Sequence, residues 1–235
     1  MDQINLIWHG LPSLLSGTLV TIILTIYFLA LGFLVGILLA LGRVYGSRYL
    51  QLFIIRPFER FFRAVPALVL LFLFYFGSSY FHVEISAFVA AILAMGLRSA
   101  AYQSEIFRGA IQSIGEGQLK AARSIGMSMP QSIRYVILPQ ALRLSIPPWA
   151  NEYAVVLKDS SLAYAVGVTE LLRQGRYIVA RTFGNALLVY TFCALIYFIL
   201  VFTGNQLLKV LEEKYRIPGY EIKTRREDQS VLERI

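Results

Sequence analysis

The chain has 235 residues, of which 57% are apolar and only 15% are charged, and its formal net charge is +8. A soluble domain usually has about 45–50% apolar and about 25% charged residues. Charge this sparse excludes a disordered chain, and so much apolar surface disfavours an ordinary soluble enzyme. The one cysteine, Cys193, excludes an intrachain disulfide and a cysteine metal cage.

Five apolar runs predict membrane-spanning helices, each of which needs about 20 mostly apolar residues. They cover residues 14–41, 64–80, 85–107, 136–157 and 183–208. The fourth run contains Pro147 and Pro148, which we expect to kink or break its helix. A further short helix is expected at residues 169–180. The sequence therefore predicts an all-α polytopic membrane protein with five transmembrane helices.

Two glycines in the first run, Gly32 and Gly36, lie four residues apart. This spacing can let a neighbouring helix approach closely. Glycine is also common in membrane helices without a packing role. The sequence leaves both interpretations open.

The positions of lysine and arginine predict the orientation, because short basic loops stay in the cytoplasm. Basic residues crowd the loops after the first and third runs, whereas residues 78–84 have none. This alternation places the N-terminus outside and the C-terminus in the cytoplasm, although Arg173, Arg176 and Arg181 then lie in an external segment. The predicted domains are an external N-terminus (1–13), a transmembrane domain (14–211) and a charged cytoplasmic tail (212–235).

Residues 115–128 form a long loop that is rich in small residues. Ala121, Ala122 and Ile125 fall at helical spacing in this loop. Gly126 is placed to end the helix, and Pro130 begins a new segment. A short amphipathic helix with small residues on one face suits docking into a groove of another protein. A helix lying on the lipid headgroups fits the pattern equally well.

This loop resembles the EAA motif of ABC importer permeases, in which Glu-Ala-Ala, three residues, Gly and nine residues lead to Ile-x-Leu-Pro. Here the motif has Lys120-Ala121-Ala122, then Gly126, then Val136-Ile137-Leu138-Pro139 at the same spacing. Lys120 reverses the charge of the Glu in the motif, so no ion pair of that Glu is carried over. The resemblance implies that the loop couples to a partner ATPase through Gly117, Gln118, Lys120, Ala121, Ala122, Gly126, Met127 and Pro139.

Further motifs are similar to those of the polar amino-acid permeases within that family. They are Arg63-Ala64-Val65-Pro66, Tyr75-Phe76-Gly77, Glu105-Ile106-Phe107-Arg108-Gly109, Asn151-Glu152 and Lys158-Asp159-Ser160-Ser161-Leu162. Ala64 and Val65 replace the Gly-Thr of the subfamily, and Leu70 stands where a Gln is common. The similarity covers most of the chain, from about residue 17 to residue 211.

The resemblance implies the type I ABC importer fold and the role of a transmembrane permease subunit that moves polar amino acids into the cell by alternating access. It also implies a location in a prokaryotic inner membrane. The implied partners are ATP-binding cassette ATPase subunits, an extracytoplasmic substrate-binding protein and a second permease subunit, as a homodimer or a heterodimer. No cofactor is expected on this chain, because ATP and Mg belong to the ATPase partner.

Charged side chains inside the apolar runs are the candidate substrate contacts, because each costs at least about 2.5–3.5 kcal/mol in a bilayer. An amino-acid zwitterion needs a cation or N–H donors for its carboxylate and an acceptor for its ammonium group. Helical spacing places Arg98 and Glu105 on one face of the third run, and Glu152 and Asp159 on one face of the fourth. The candidate set is Arg98, Glu105, Glu152, Lys158, Asp159, Ser160 and Ser161. Structural salt bridges between helices explain the same charges, so both interpretations stay open.

Catalytic motifs are missing from the sequence. It has no Gly-x4-Gly-Lys-[Ser/Thr] loop for ATP, no catalytic triad and no cluster with metal-ligand spacing. The chain is therefore expected not to be an enzyme. Nucleic acid is not expected as a partner, because no soluble segment interleaves basic residues with stacking aromatic residues. The alternative to an importer subunit is a stand-alone channel or ion-coupled secondary transporter that uses the same intramembrane charges.

Overall fold

The computed structural model describes residues 3–80, 82–182 and 186–216, without the side chains of residues 3–8 and 182. Within these ranges the chain is almost entirely helical and has no strand, which confirms the predicted all-α class. The α-helices are α1 (Gln3–Tyr45), α2 (Arg48–Leu50), α3 (Arg56–Ala64), α4 (Ala67–Tyr80), α5 (Ala87–Ser113), α6 (Glu116–Ser124), α7 (Met129–Ser132), α8 (Leu138–Leu144), α9 (Ile146–Asp159), α10 (Leu171–Thr182) and α11 (Ala186–Tyr215). Two π-helical turns, Gln51–Ile55 and Ile133–Ile137, join α2 to α3 and α7 to α8, and a 3-10 turn, Ser160–Val166, follows α9.

The helices α1 and α11 are long and apolar enough to cross a bilayer. A third crossing results if Arg48–Ala64 and Ala67–Tyr80, which meet at 107°, form one broken span. The bend lies at Val65, which precedes Pro66. The backbone of Val65 is extended, as is usual before proline, and this ends α3. Because α4 alone has 14 residues and rises about 1.5 Å per residue, it is shorter than the roughly 30 Å hydrocarbon core.

The helices at the two ends of the chain extend beyond the predicted transmembrane domain. Residues 3–13, predicted as an external N-terminus, continue directly into the first predicted span, because α1 begins at Gln3. At the other end α11 runs to Tyr215, so the start of the predicted tail is helical. Residues 183–185 of the fifth predicted span and residues 217–235 of the tail lie outside the described residues.

The central contact of the bundle is the crossing of α1 and α5, and it depends on glycine. A Cβ atom added at Gly32 would lie 2.9 Å from the Ser99 hydroxyl oxygen, and one added at Gly36 would lie 3.0 Å from the Ala100 carbonyl oxygen. These distances leave no room for a side chain at either of these two positions of α1 unless its neighbours shift. Of the two interpretations of the Gly32–Gly36 spacing, the close approach of a neighbouring helix is therefore the one that the structure supports.

The fourth predicted span is broken as its prolines predict. Helix α8 ends at Leu144, and α9 begins at Ile146 with Pro147 and Pro148 in its first turn. Proline is tolerated there because the first-turn N–H groups have no partner within a helix. The short helix expected at residues 169–180 is α10, shifted by two residues.

Candidate functional site

An ion pair joins the two predicted charged faces of the bundle. Arg98 on α5 donates from Nη1 to Oδ2 of Asp159 at the end of α9, at 2.8 Å. The two side chains are only 18% and 28% exposed. The Arg98 guanidinium also lies over the Tyr102 ring, 5.0 Å from its centre. The arrangement presents one cation and one anion in contact, which are the two groups that a zwitterion requires.

A second set of charges continues along the same face of α5. Arg63 on α3 lies 5.6 Å from the centre of the Tyr102 ring, on which Arg98 also stacks. Arg63 also pairs with Glu105 at 3.3 Å, and Glu105 in turn accepts hydrogen bonds from Arg108. Glu105 thus has two cationic partners within the chain, and its contact with substrate stays a prediction.

Glu152 belongs to a buried hydrogen-bond network. The Ser99 hydroxyl donates to Glu152 at 2.7 Å, and the Gln103 amide donates to the Ser99 oxygen at 3.0 Å. The Trp149 indole N–H then donates to the Gln103 carbonyl oxygen at 2.8 Å. This chain of bonds holds α5 against α9 beside the glycines of α1. Ser99, Gln103 and Trp149 are absent from the predicted set, although the four-residue spacing of Ser99 and Gln103 on an apolar helix is a usable signal.

The remaining predicted residues of α9 and the turn after it lie apart from Arg98. Lys158 is exposed and Ser161 is half-buried, and both line a cavity of about 580 Å³ against α11, with Tyr190 and Tyr197. The Ser161 hydroxyl donates to the Lys158 carbonyl oxygen at 2.8 Å. Ser160 is fully buried and donates to the backbone one turn earlier. The structure therefore brings together Arg98 and Asp159, whereas Lys158 and Ser161 lie at a cavity that neither of those two side chains lines.

A buried carboxylate that the sequence did not indicate orders the start of α10. Glu170 is fully buried and accepts from the backbone N–H groups of Leu172 and Arg173 at the start of α10, both at 2.8 Å. It also accepts from the Tyr197 hydroxyl of α11 at 2.9 Å. Glu170 therefore caps α10 and ties it to α11. Glutamate is not among the preferred N-cap residues, so local sequence gives no signal for this role.

The loop that resembles the EAA motif forms α6 and the turn after it. Gly126 has φ +88°, in the left-handed region that suits glycine, and Met127 N–H returns to the Ala122 carbonyl at 3.2 Å. The predicted end of this helix is confirmed. Pro139 lies in the first turn of α8, and Arg123 donates to the Met127 carbonyl at 2.8 Å.

The two faces of α6 differ in their surroundings. Ala122 is 4% exposed and faces the bundle, whereas Ile125 is 76% exposed. The exposed face has three small or apolar residues, Gly117, Ala121 and Ile125, and the polar Gln118. Lys120, which replaces the motif's Glu, pairs with Glu116 at 2.9 Å. This hydrogen bond and the lysine charge lower the pKa of the Glu116 carboxyl below its ordinary value.

Comparison with known proteins identifies relatives along nearly the whole chain. It is 37% identical over 207 residues to the probable amino-acid ABC transporter permease protein YckA of Bacillus subtilis, covering 88% of this chain and 91% of that protein. It is 34% identical over 213 residues to the glutamine transport system permease protein GlnP of Escherichia coli, covering 90% and 96%. The L-cystine permease TcyB of Bacillus subtilis is 36% identical over 203 residues, covering 86% of each chain.

Solved structures agree with this fold. The crystal structure of an amino acid ABC transporter with histidines matches with a TM-score of 0.81 at 34% identity, over 91% of this chain and 99% of that chain. The methionine ABC transporter MetNI in an inward-facing conformation matches with a TM-score of 0.64 at 21% identity, over 90% and 99%, and shares the fold. The protein-family model described as binding-protein-dependent transport system inner membrane component matches residues 32–217 of this chain. The chain belongs to this family of ABC importer permeases.

Proposed function

We propose that this chain is the transmembrane permease subunit of an ATP-binding cassette importer that moves polar amino acids into the cell by alternating access. The similarity to amino-acid permeases at 34–37% identity over almost the entire chain carries this proposal. None of the relatives described above is named as a stand-alone channel or secondary transporter. ATP and Mg belong to the ATPase partner in this proposal, and no cofactor is assigned to this chain.

In the proposed topology the chain crosses the membrane five times, with the N-terminus outside and the C-terminus in the cytoplasm. The crossings are α1, the broken span that α4 completes, α5, α8–α9 and α11. The basic residues of 43–63 and 108–134 support this orientation, because they gather at the end of the bundle that also carries α6. Charges within α5 and α9 are accommodated by pairing, as Arg98 and Asp159 show.

The substrate contact that we propose is the pair of Arg98 and Asp159. A zwitterion that enters between them exchanges one internal ion pair for two ion pairs with the substrate, the carboxylate on Arg98 and the ammonium group on Asp159. Charge is conserved in this exchange, so neither side chain is left unpaired in a poorly hydrated site. Glu152 and Ser99 hold α9 in register with α5 and so position Asp159.

Exchanging the two charges separates the substrate role from a structural role. In the double variant Arg98→Asp/Asp159→Arg the ion pair can re-form, so we expect the protein to assemble. Transport should stay at least tenfold below that of the unaltered protein, because the cation and the anion have changed places relative to a substrate of fixed shape. Recovery of normal uptake would show that the pair is only a salt bridge.

The partners that we propose are two ATPase subunits, a second permease subunit and an external substrate-binding protein. The exposed face of α6 is the proposed ATPase contact, because small apolar side chains there have no cover from the described part of the chain. When ATP binding closes the ATPase pair, α6 would move with it and rock the spanning helices. Such coupling requires different contacts in the two states.

Co-purification tests this partnership directly. We expect the affinity-tagged chain to retain its ATPase subunit in detergent and Ile125→Glu to lose it, because that variant places a charge on the exposed face of α6. Arg123→Gln is the matched control, since helical spacing puts it on the opposite side of α6. A complex that survives Ile125→Glu, or an unaltered chain that never retains an ATPase, would contradict the proposal.

A further inference from the structure

A basic cavity lies at the end of the bundle where α1, α3 and α5 meet. Its volume is about 590 Å³, and neither Arg98 nor Asp159, the proposed substrate contact, lines it. Its lining consists of Arg43, Arg56, Glu59, Arg60, Arg63, Ala64, Tyr102 and Glu105. Four arginines face two glutamates, so two positive charges are in excess.

Two of the four arginines have anionic partners in the cavity. Arg43 pairs with Glu59 at 3.2 Å, and Glu59, which is 4% exposed, also accepts from the Ser104 hydroxyl at 2.7 Å. Arg63 pairs with Glu105 at 3.3 Å. These pairs neutralise both glutamates.

The other two arginines, Arg56 and Arg60, are exposed, and their side chains make no ion pair or hydrogen bond with any residue that the structure describes. They lie four residues apart on α3, so they occupy the same side of the helix. Their guanidinium groups carry planar sets of N–H donors that match the oxygens of a phosphate. The excess charge of the cavity is therefore concentrated at one place, which suits an anion.

The segment just before these arginines is exposed and apolar. Tyr49 is 78% exposed, Phe53 is 73% exposed and Ile54 is 61% exposed. Because the chain bends by 107° between Ala64 and Ala67, this segment can lie along the membrane surface while α4 enters the bilayer. Helices that lie at a membrane interface combine aromatic and aliphatic residues with arginine in this way.

We propose that Arg56 and Arg60 bind the phosphate of an anionic phospholipid, with the acyl chains against Phe53 and Tyr49. The apolar residues favour a lipid over free phosphate, because a soluble anion has nothing to bury them. Basic residues next to a membrane-spanning segment are attracted to anionic lipid headgroups, which favours the same ligand. The site is separate from the pair of Arg98 and Asp159, and its occupancy does not depend on which substrate is transported.

Native mass spectrometry of the full-length chain in its complex, titrated with phosphatidylglycerol, tests the site. We expect Arg56→Gln/Arg60→Gln to weaken lipid binding about 30-fold, which corresponds to about 1 kcal/mol for each arginine removed. Arg134→Gln/Lys209→Gln is the matched control, since it removes two exposed positive charges outside the cavity and should bind lipid normally. Arg56→Lys/Arg60→Lys keeps the charge but loses the planar donors, so we expect an intermediate affinity.

Two further arms distinguish the source of the anion. We expect phosphatidylcholine, whose headgroup is neutral overall, to bind more weakly than phosphatidylglycerol, and inorganic phosphate not to displace phosphatidylglycerol. Equal retention of phosphatidylglycerol by the Arg56→Gln/Arg60→Gln variant and the unaltered protein would overturn the site. Displacement by inorganic phosphate would show a soluble anion and overturn its assignment to a lipid.

Discussion

Polar side chains in the bundle of α1, α5 and α9 have partners within the chain, whereas the exposed face of α6 leaves small apolar side chains uncovered. Arg98 pairs with Asp159, and Glu152 accepts from Ser99. On α6, by contrast, Ile125 is 76% exposed. The polar groups of the bundle therefore bond to one another, whereas Ile125 in the loop is not covered by the described part of the chain.

This difference separates two kinds of functional surface. A paired charge in the bundle can exchange its internal partner for a substrate at small net cost, because an ion pair exists before and after the exchange. An uncovered apolar face gains free energy only when another protein removes it from water. Variants in the bundle should therefore affect uptake and stability together, and variants in the loop should affect coupling with little effect on stability.

The largest effect is expected from Arg98→Gln. It leaves Asp159 without its cation, and breaking a buried pair costs about 3–5 kcal/mol. Because both side chains are partly exposed, we expect a smaller loss of about 2 kcal/mol and uptake reduced at least tenfold. Thermal unfolding of the purified complex and radiolabelled uptake measure the two effects, with Arg48→Gln as the control. Uptake equal to that of the control would remove Arg98 from the pathway.

A smaller loss of stability is expected from Gly32→Ala, because its Cβ would approach Ser99 and Gln103 too closely. Overpacking of this kind costs about 1–3 kcal/mol, and the preference of alanine for a helix offsets about 0.5–1 kcal/mol of that cost, so we expect a net loss of about 1 kcal/mol. Gly109→Ala is the matched control, since nothing lies within 4 Å of a Cβ there and alanine favours a helix by about 0.5–1 kcal/mol. If both variants unfold at the same temperature, α1 and α5 are not in tight contact.

Gly126→Ala should impair the coupling between substrate and ATP hydrolysis more than it lowers the stability of the folded chain. A Cβ at Gly126 meets nothing within 4 Å, but its φ of +88° is unfavourable for alanine by about 1–2 kcal/mol. The end of α6 should therefore lose order locally. We expect substrate-stimulated ATP hydrolysis by the complex to fall several-fold while global unfolding changes little. Full stimulation in this variant would mean that the turn after α6 does not transmit the motion.

The smallest effect is expected from Lys120→Ala, which removes the partner of Glu116. The pKa of Glu116 is lowered in the folded chain, so its ionised form contributes stability above the ordinary pKa and loses that contribution as pH falls through the lowered pKa. In thermal unfolding at pH 7 the variant should therefore melt at a slightly lower temperature than the unaltered chain. This difference in melting temperature should vanish in acid. A difference that grows in acid would contradict the ion pair.

Features that depend on neighbouring residues were predictable from the sequence. The break before Pro147 and the end of α6 at Gly126 follow from backbone preferences of proline and glycine, which act within one turn. The apolar runs predicted the helical class because a helix satisfies the backbone hydrogen bonds of a membrane-spanning run within that run itself.

Features that depend on contacts across the bundle were not predictable in the same way. Ser104 meets Glu59 across 45 residues of sequence, and the N–H of Leu171 meets the hydroxyl of Thr21 across 150 residues. Which face of α9 meets α5 depends on helix rotation. Lys158 is adjacent to Asp159 in sequence, yet it lines a cavity against α11 that Asp159 does not line. The buried cap at Glu170 needed the position of Tyr197, which lies on another helix.

Amino-acid uptake by proteoliposomes is the most direct test of the central claim. The vesicles would contain this chain assembled with its ATPase, ATP inside and the substrate-binding protein outside. We predict accumulation of a polar amino acid against its gradient that requires both ATP and the binding protein. Accumulation driven by an ion gradient without ATP would contradict the account and indicate a secondary transporter.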